Sequence, residues 1–453
     1  MTSSLTQPLA RFVAQLKFDD LPPEVVTQAG RFLLDAIGCA FAAYREDPRK
    51  ARIAGDLVSQ FGATAQATLI GGAQTHAALA ALANGMLMNA ADNDDTHKRA
   101  LAHLGSVVVP AALAVSEARG GTGRDLITAL VAGYEIGARV GMAVMPSHYR
   151  FWHSTATNGT FAAAAAAARA AGLGVDATCT ALGFAGTQAA GLNTFFESGD
   201  DSKGLHPGKA AMNGILGVLL AELGASSPPD ILGHPKGYLA AYSTEPDAAA
   251  LQAGLGARWE ILQNGFKLYP SILASHSPIG AALDIVERAG PVADEIAAVE
   301  IRTYATVKSH FSSKDVQKTM AARLSVPYCV AAALVDGEIT QRQFAPERFN
   351  DARIRRVLEV TEVVADPELT PLYPEKFPAR VVVTRHDGTR LEAIVYYPKG
   401  DPANPLSAAE LEQKFRDNVQ QVLSPEQADR LVALVANLPG IQVADLSQAL
   451  GGH

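Results

Sequence analysis

The stretch Asn84–Ala114, NGMLMNAADNDDTHKRALAHLGSVVVPAALA, constrains the fold of this chain more than any other. Apolar segments on both sides have to be buried, so the polar run between them is carried inward with them. Asp92, Asp94, Asp95, Thr96, His97, Lys98, Arg99 and His103 all fall within twelve positions. Three aspartates within four positions repel one another, and each needs cations or donors nearby to stay ionised. That much polar chemistry between two core segments reads as a site. Spacing alone favours a quieter reading, a loop whose Asp and Asn side chains cap turns and the next helix. A metal site is a further alternative, since Asp and His supply oxygen and nitrogen ligands. The Asp-Asn-Asp-Asp order lacks the Gly and terminal Glu of a calcium loop, and no His-x-x-x-His pair exists. The spacing thus supports a metal only weakly, and none is assigned.

At 453 residues the chain is too long for one simple core, and two domains are expected. Hydrophobic residues at 48% and charged residues at 19% describe a packed chain rather than a disordered one. The net charge of −8 argues against nucleic acid or an anionic membrane surface as a partner. Cys39, Cys179 and Cys329 are scattered on apolar segments, which suits a reducing cytoplasm and no disulfide framework. The first residues show no basic head followed by an apolar run, so no secretory leader is expected. The Ala-rich run from Phe161 to Ala171 contains Arg169 and is too short to span a membrane, so it reads as a buried helix.

Up to about residue 262 the apolar spacing is helical. Pro22 and Pro23 open a helix whose buried stripe is Val25, Ala29, Phe32, Leu33, Ile37 and Ala40. Thr157 or Asn158 is expected to cap the Ala-rich helix and Gly172 to end it. Gly208, Ala211, Gly214 and Gly217 let another backbone approach, either inside the domain or across a dimer contact. Near residue 265 the pattern changes. Residues 299–304 alternate as a strand does, and two further alternating runs flank His386-Asp-Gly-Thr389, the signature of a tight hairpin. After about residue 403 helical spacing returns. The expected fold is mainly α with an α+β second domain. A large all-helical domain spans 1–264, completed by 403–453, and a smaller α+β lid domain spans 265–402.

Three more stretches carry polar chemistry. Tyr149, Arg150 and His153 precede the small-residue helix. A His there is commonly a satisfied core or capping residue, and can equally bind a carboxylate at the helix N-terminus. Lys203, His206 and Lys209 follow Asp201, with Lys203 entering a Gly- and Ala-rich helix while Lys209 reads as solvated. Lys267, Tyr269 and His276 stand at the domain boundary, where ligand sites collect. No dinucleotide fingerprint, phosphate loop, Gly-x-Ser-x-Gly elbow, zinc helix or kinase set is present. A kit of His, Lys, Tyr and Asp suits proton transfer next to a carboxylate. A base takes a carbon-bound proton while cations hold the carboxylate oxygens as charge develops. A metal-dependent hydrolase and a non-enzymatic helical scaffold are the opposing readings.

In order along the chain, N-G-x-x-x-N-A-x-D-x-D-D-T-H-x-x-A-L-x-H-x-G-S, F-W-H-S-T-A-T-N-G-T-F, K-G-L-H-P-G-K-A-A-M-N-G and K-L-Y-P-S resemble the MmgE/PrpD family. That family includes 2-methylcitrate dehydratases, cis-aconitate decarboxylases and iminodisuccinate epimerases. The resemblance implies a helical domain plus an α+β lid, a homodimer, a small polycarboxylate substrate and no metal or organic cofactor. It implies that Asp92 and Thr96 orient the substrate. His103 and His153 become the acid/base and carboxylate contacts, and Lys203 and Lys267 the anion clamps. Tyr149 joins the catalytic set, and His97, Arg150, His206 and Tyr269 join the substrate-binding set. Asp94, Asp95, Lys98 and Arg99 become support. Animal-type decarboxylases resemble Lys-x-x-Pro-x-His at the lid junction, and Ile272 stands where that His falls, which lowers the decarboxylase reading. Many dehydratases carry an aromatic residue where His97 stands, and Tyr149 resembles the epimerase branch. Dehydration of a 2-methylcitrate- or citrate-type acid is expected first because that branch is broad. Epimerisation of an iminodisuccinate-like dicarboxylate follows, then cis-aconitate-type decarboxylation.

Overall fold

The helical spacing of the first 262 residues becomes a stack of helices in a computed structural model that describes residues 4–62, 64–198 and 200–451. Two units divide the chain, Met1–Asn264 with Ser407–His453, and Gly265–Leu406. In the first unit the main helices are α1 (Thr6–Gln15), α2 (Pro23–Glu46), α3 (Pro48–Ser59), α4 (Ala77–Asn89), α5 (Gly105–Ala118), α6 (Gly123–Val144), α7 (Ser154–Ala170), α8 (Val175–Gln188) and α9 (Ser202–Glu222). Pro23 occupies the first turn of α2, where a missing N–H leaves no bond unmade. A reciprocal Thr122–Asp125 capping box opens α6.

Small side chains decide how these helices meet. The run Ser154–Ala168 of α7 is wholly buried, packed against α5, α6 and α9. A Cβ on Gly137 of α6 would come within 2.7 Å of the Ala162 Cβ, and one on Gly214 of α9 within 2.5 Å of the Ala163 Cβ. A Cβ on Gly208 would fall 2.1 Å from the carbonyl oxygen of Leu82 in α4. The small face of α9 is therefore used inside the unit. By length and composition α2 and α6 could cross a membrane, but 72% and 100% of their apolar windows are buried, as in core helices. The expected caps of α7 are corrected. The helix begins at Ser154, and Thr157 lies inside it, its hydroxyl 2.8 Å from His148 Nε2. A tertiary partner has taken over the side chain that local propensity assigned to a cap.

The second unit contains α10 (Leu273–Ala289), β1 (Ile296–Thr303), α11 (Val326–Asp336), α12 (Ala352–Glu359), β2 (Thr361–Ala365), β3 (Ala379–Arg385) and β4 (Arg390–Val395). The sheet order is β2-β1-β3-β4. β1 pairs parallel with β2 and antiparallel with β3, and β3 and β4 form the hairpin marked by Asp387-Gly388, with Gly388 at φ +86°. Alternate residues Val299 and Ile301 of β1 and Val381 and Val383 of β3 are buried with Ile279, Ala282 and Ile285 of α10 and Val330 of α11. Strand β2 has no counterpart in the sequence expectation. Its five residues alternate too briefly to stand out, and pairing with β1 supplies its order. After this unit the chain contributes α13 (Ala408–Val419) and α14 (Pro425–Ala436) to the first unit. Both helices open with capping boxes, from Ser407–Glu410 and Ser424–Gln427.

Two stability tests follow from this packing. Gly208→Ala should cost about 1–3 kcal/mol in urea unfolding, because a backbone carbonyl cannot swing aside. Gly55→Ala in α3, with nothing within 4 Å of the new Cβ, should instead gain up to about 1 kcal/mol. The second test concerns His148, whose Nδ1 lies 3.1 Å from the Tyr242 carbonyl oxygen and whose pKa burial pushes down to about 4. The unfolded chain takes up that proton near the ordinary histidine value, about 6.5. Stability is thus present above about 6.5 and lost as pH falls toward about 4. Asp95 and Glu135, raised by burial to about 7, act in the opposite sense, so the wild-type profile alone is mixed. His148→Asn compared with wild type at pH 7 and 4.5 should lose less stability on acidification, by on the order of 2 kcal/mol.

Candidate active site

Between α4 and α5 the chain makes a buried loop whose three carboxylates divide between the core and His103. Asp92 sits at φ +55°, a left-handed conformation that Asp tolerates better than most side chains. Its amide donates to the Asn89 carbonyl at 3.1 Å. Asp95 turns into the core. Its Oδ1 accepts from the Gly105 amide at 2.7 Å, at the start of α5, and its Oδ2 accepts from Tyr134 Oη at 2.5 Å and Asn264 Nδ2 at 2.8 Å. Burial raises its pKa to about 7 against the pull of the Tyr134 and Gly105 bonds. Gly105 is needed there, since a Cβ would lie 2.7 Å from Asp95 Oδ2.

Asp94 and Asp92 face His103 instead. Asn89 Nδ2 donates to both oxygens of Asp94, at 3.1 and 2.9 Å. Asp94 Oδ1 is 3.3 Å from His103 Nδ1, and Asp92 Oδ1 is 4.0 Å from His103 Nε2. The turn through Lys98–Leu101 brings His103 back beside Thr96. Leu101 adopts φ +49°, His97 N donates to the Ala102 carbonyl at 2.9 Å, and Thr96 Oγ1 lies 3.4 Å from His103 Nδ1. Lys203, in the first turn of α9, donates to Asp92 Oδ1 at 2.7 Å. The imidazole thus has a carboxylate at each nitrogen, and one of these carboxylates carries an ammonium partner.

A second imidazole pair stands next to this group. His153, at the mouth of α7, has its ring centroid 6.4 Å from that of His103, and its Nδ1 lies 2.9 Å from His206 Nδ1. Burial, then the neighbouring His206, His103 and Lys203, hold His153 well below the ordinary histidine range. Burial also brings His206 down to about 4. At neutral pH both rings are uncharged, and one Nδ1–H donates to the other Nδ1.

Asp92, Thr96, His103, His153, Lys203 and His206 are therefore assembled by the first unit. The ring of His97 is fully buried, its Nδ1 accepts the Ala100 amide at 3.1 Å, and its Nε2 is 3.4 Å from Glu260 Oε2. Burial, opposed by Glu260, lowers the His97 pKa, and the Arg258 guanidinium also donates to Glu260, at 2.9 Å. His97 thus packs in the core with Glu260 as its neighbour. Arg150 is exposed, its guanidinium 5.0 Å from the centre of the Phe151 ring. Tyr149 is half-buried on the turn before His153, its ring edge-on to Phe196 at 6.0 Å. Lys267 and Tyr269 belong to the segment that opens the second unit. Both are buried there, Tyr269 with its ring 5.1 Å from His276 and its hydroxyl raised to about 12 by burial. Arg99 is exposed and Lys98 half-buried.

Asn89 and Tyr134 were not singled out from the sequence. A lone Asn ending the apolar helix α4 is the signal that points to the first, whereas Tyr134 sits in an apolar helix and gives none. Asp92, Asp94 and His103 place ligand atoms within 4.8 Å of one another and could hold a metal ion. The Lys203 ammonium already bonds to Asp92 at that point.

Comparison with known proteins shows the family of the chain. The profile of the MmgE/PrpD N-terminal domain matches residues 7–251, and that of the C-terminal domain matches residues 269–439. The cis-aconitate decarboxylase-like protein oryM of Aspergillus oryzae is 29% identical over 99% of this chain and 96% of its own length. The cis-aconitate decarboxylase of Homo sapiens is 27% identical over 98% of this chain and 93% of its own. The 2-methylcitrate dehydratase of Escherichia coli is 27% identical over 50% of this chain and 49% of its own. Matched in both of its halves, the chain belongs to the MmgE/PrpD family.

Proposed function

We propose that this chain is a lyase for a small di- or tricarboxylate, moving a proton at the carbon next to a carboxylate through His103. The observation that carries the reading is the placement of His103 between Asp94 at Nδ1 and Asp92 at Nε2. Asp94, itself held by Asn89, orients the ring through Nδ1 and leaves Nε2 to take the proton. Lys203 supplies a buried cation for a substrate carboxylate whose negative charge grows as the carbon loses its proton. Neutral His153, backed by His206, offers a hydrogen bond without placing a second cation on the same carbon.

In dehydration, Nε2 of His103 takes the carbon-bound proton and returns it to the departing hydroxyl. A carbon–carbon double bond forms and water leaves. Ile272 at the junction favours this over decarboxylation. The second reading is loss of CO2 from a cis-aconitate-type acid, with the His103 imidazolium delivering a proton to carbon as the carbon–carboxylate bond breaks. It is favoured by relatives that carry that name and align over almost the whole chain.

The test is NMR in D2O with citrate, 2-methylcitrate, cis-aconitate and an iminodisuccinate-type dicarboxylate. Water loss from the hydroxy acids, with His103→Asn lowering kcat by about 100- to 10,000-fold, is the expected result. Lys203→Met should raise KM and lower kcat together. Release of CO2 selects the second reading, and deuterium incorporation without elimination selects an epimerase. If wild type exchanges, dehydrates and decarboxylates none of them, the lyase reading fails. Activity lost to a chelator and restored by one metal would replace it with a metal-dependent reaction.

A further inference from the structure

Lys414 lies on α13, in the segment that follows the second unit, yet its ammonium is buried against the loop that carries Asp92 and Asp94. Nζ donates to Asp35 Oδ1 of α2 at 2.5 Å and to the carbonyl oxygen of Asn93 at 2.8 Å. Asn93 is the residue between the two aspartates that face His103. Its carbonyl also accepts from Cys39 Sγ at 3.4 Å, and its Nδ2 donates to Asn418 Oδ1, one turn beyond Lys414, at 3.4 Å. Asp35, Asn93, Lys414 and Asn418 are each at most 8% exposed. The approach of α13 is set by Gly38, where a Cβ would meet Phe415 Cδ2 at 3.0 Å and Asn418 Nδ2 at 3.5 Å.

An ion pair that only joined two helices would have no reason to hold a loop carbonyl as well. The residue before that carbonyl, Asp92, is in the left-handed region, a conformation that persists only where the surroundings over-determine it. We infer that Lys414, charge-balanced by Asp35, is a positioning residue. It clamps the Asn93 carbonyl and thereby keeps Asp92 aimed at Lys203 and Asp94 aimed at His103. This rests on the reading of His103 and Lys203 as the reacting group, and it adds a residue from the far end of the chain to that site.

Removing Lys414 alone strands a buried carboxylate, so Lys414→Met tests folding as much as positioning. The decisive variant is Asp35→Asn/Lys414→Met, which removes both charges while keeping volume. In that double variant Tm should return to within a few degrees of wild type, yet kcat should stay about 10- to 100-fold low with KM within about threefold. Its crystal structure should show the Asn93 carbonyl turned away and the Lys203–Asp92 contact lengthened from 2.7 Å beyond hydrogen-bonding range. A double variant with wild-type kcat, or with the Lys203–Asp92 contact and Asp92 φ unchanged, overturns the proposal and leaves Lys414 a partner of Asp35 only. Should wild type turn over no carboxylate, the lyase reading fails separately, and the crystallographic arm alone decides the positioning role.

Discussion

Buried carboxylates close together repel, and the first unit is organised around making that repulsion tolerable. Asp95 is neutralised in effect by three donors, Asp94 by the Asn89 amide and the His103 ring, and Asp92 by the Lys203 ammonium. These groups come from separate places along the chain: the start of α5, the middle of α6, Asn264, the end of α4, the turn before α5 that carries His103, and the first turn of α9. The helices therefore have to meet at these points, and their packing and the site's chemistry are one problem. Desolvation raises the cost of any misplacement, because a carboxylate that lost its donor here would have no water to replace it.

The packing solution is small side chains. Where α7 passes α6 and α9, Gly and Ala leave backbone almost touching backbone, which removes the slack that longer side chains would bring. The proton transfer proposed for His103 would benefit from such walls, since a displacement of about 1 Å between reacting atoms can cost about 100-fold in rate. Glycine at 105, 208 and 214 is thus as much a part of the site's precision as the ionisable groups it lets approach.

Much of this was legible in the residues. The apolar stripe of α2, the Asp387-Gly388 hairpin and the change from helical to alternating spacing near residue 265 each follow from a local period, and local periods survive into the fold. Asp92, His103, His153 and Lys203 were recognisable because their motifs place polar groups beside sequence that must be buried. What could not be read was direction. Asp94 and Asp95 are adjacent and chemically identical, yet one faces His103 and the other Tyr134. His97 and His103 lie on one short turn, and only the position of Glu260 shows which ring belongs to the core. Thr157 had the chemistry of a cap and became a partner of His148. Lys414 gave no signal at all, since one basic residue in an amphipathic helix is ordinary until its partner, 379 positions away, is known.

That separation also sets a timetable. A ribosome releases the Asp92 loop early, followed in turn by α7 and α9, so most of the polar groups are out before the second unit has been translated. The contact from Lys414 to Asn93 cannot form until α13 has left the exit tunnel, after the whole second unit has been made. Until then Asp35 lies in the nascent chain without its cation, and the loop beside it lacks its last tether. The helical unit is in this sense finished only after the second unit, and a chain stopped inside the second unit carries the aspartates and histidines of the candidate site without the lysine that bonds to their loop.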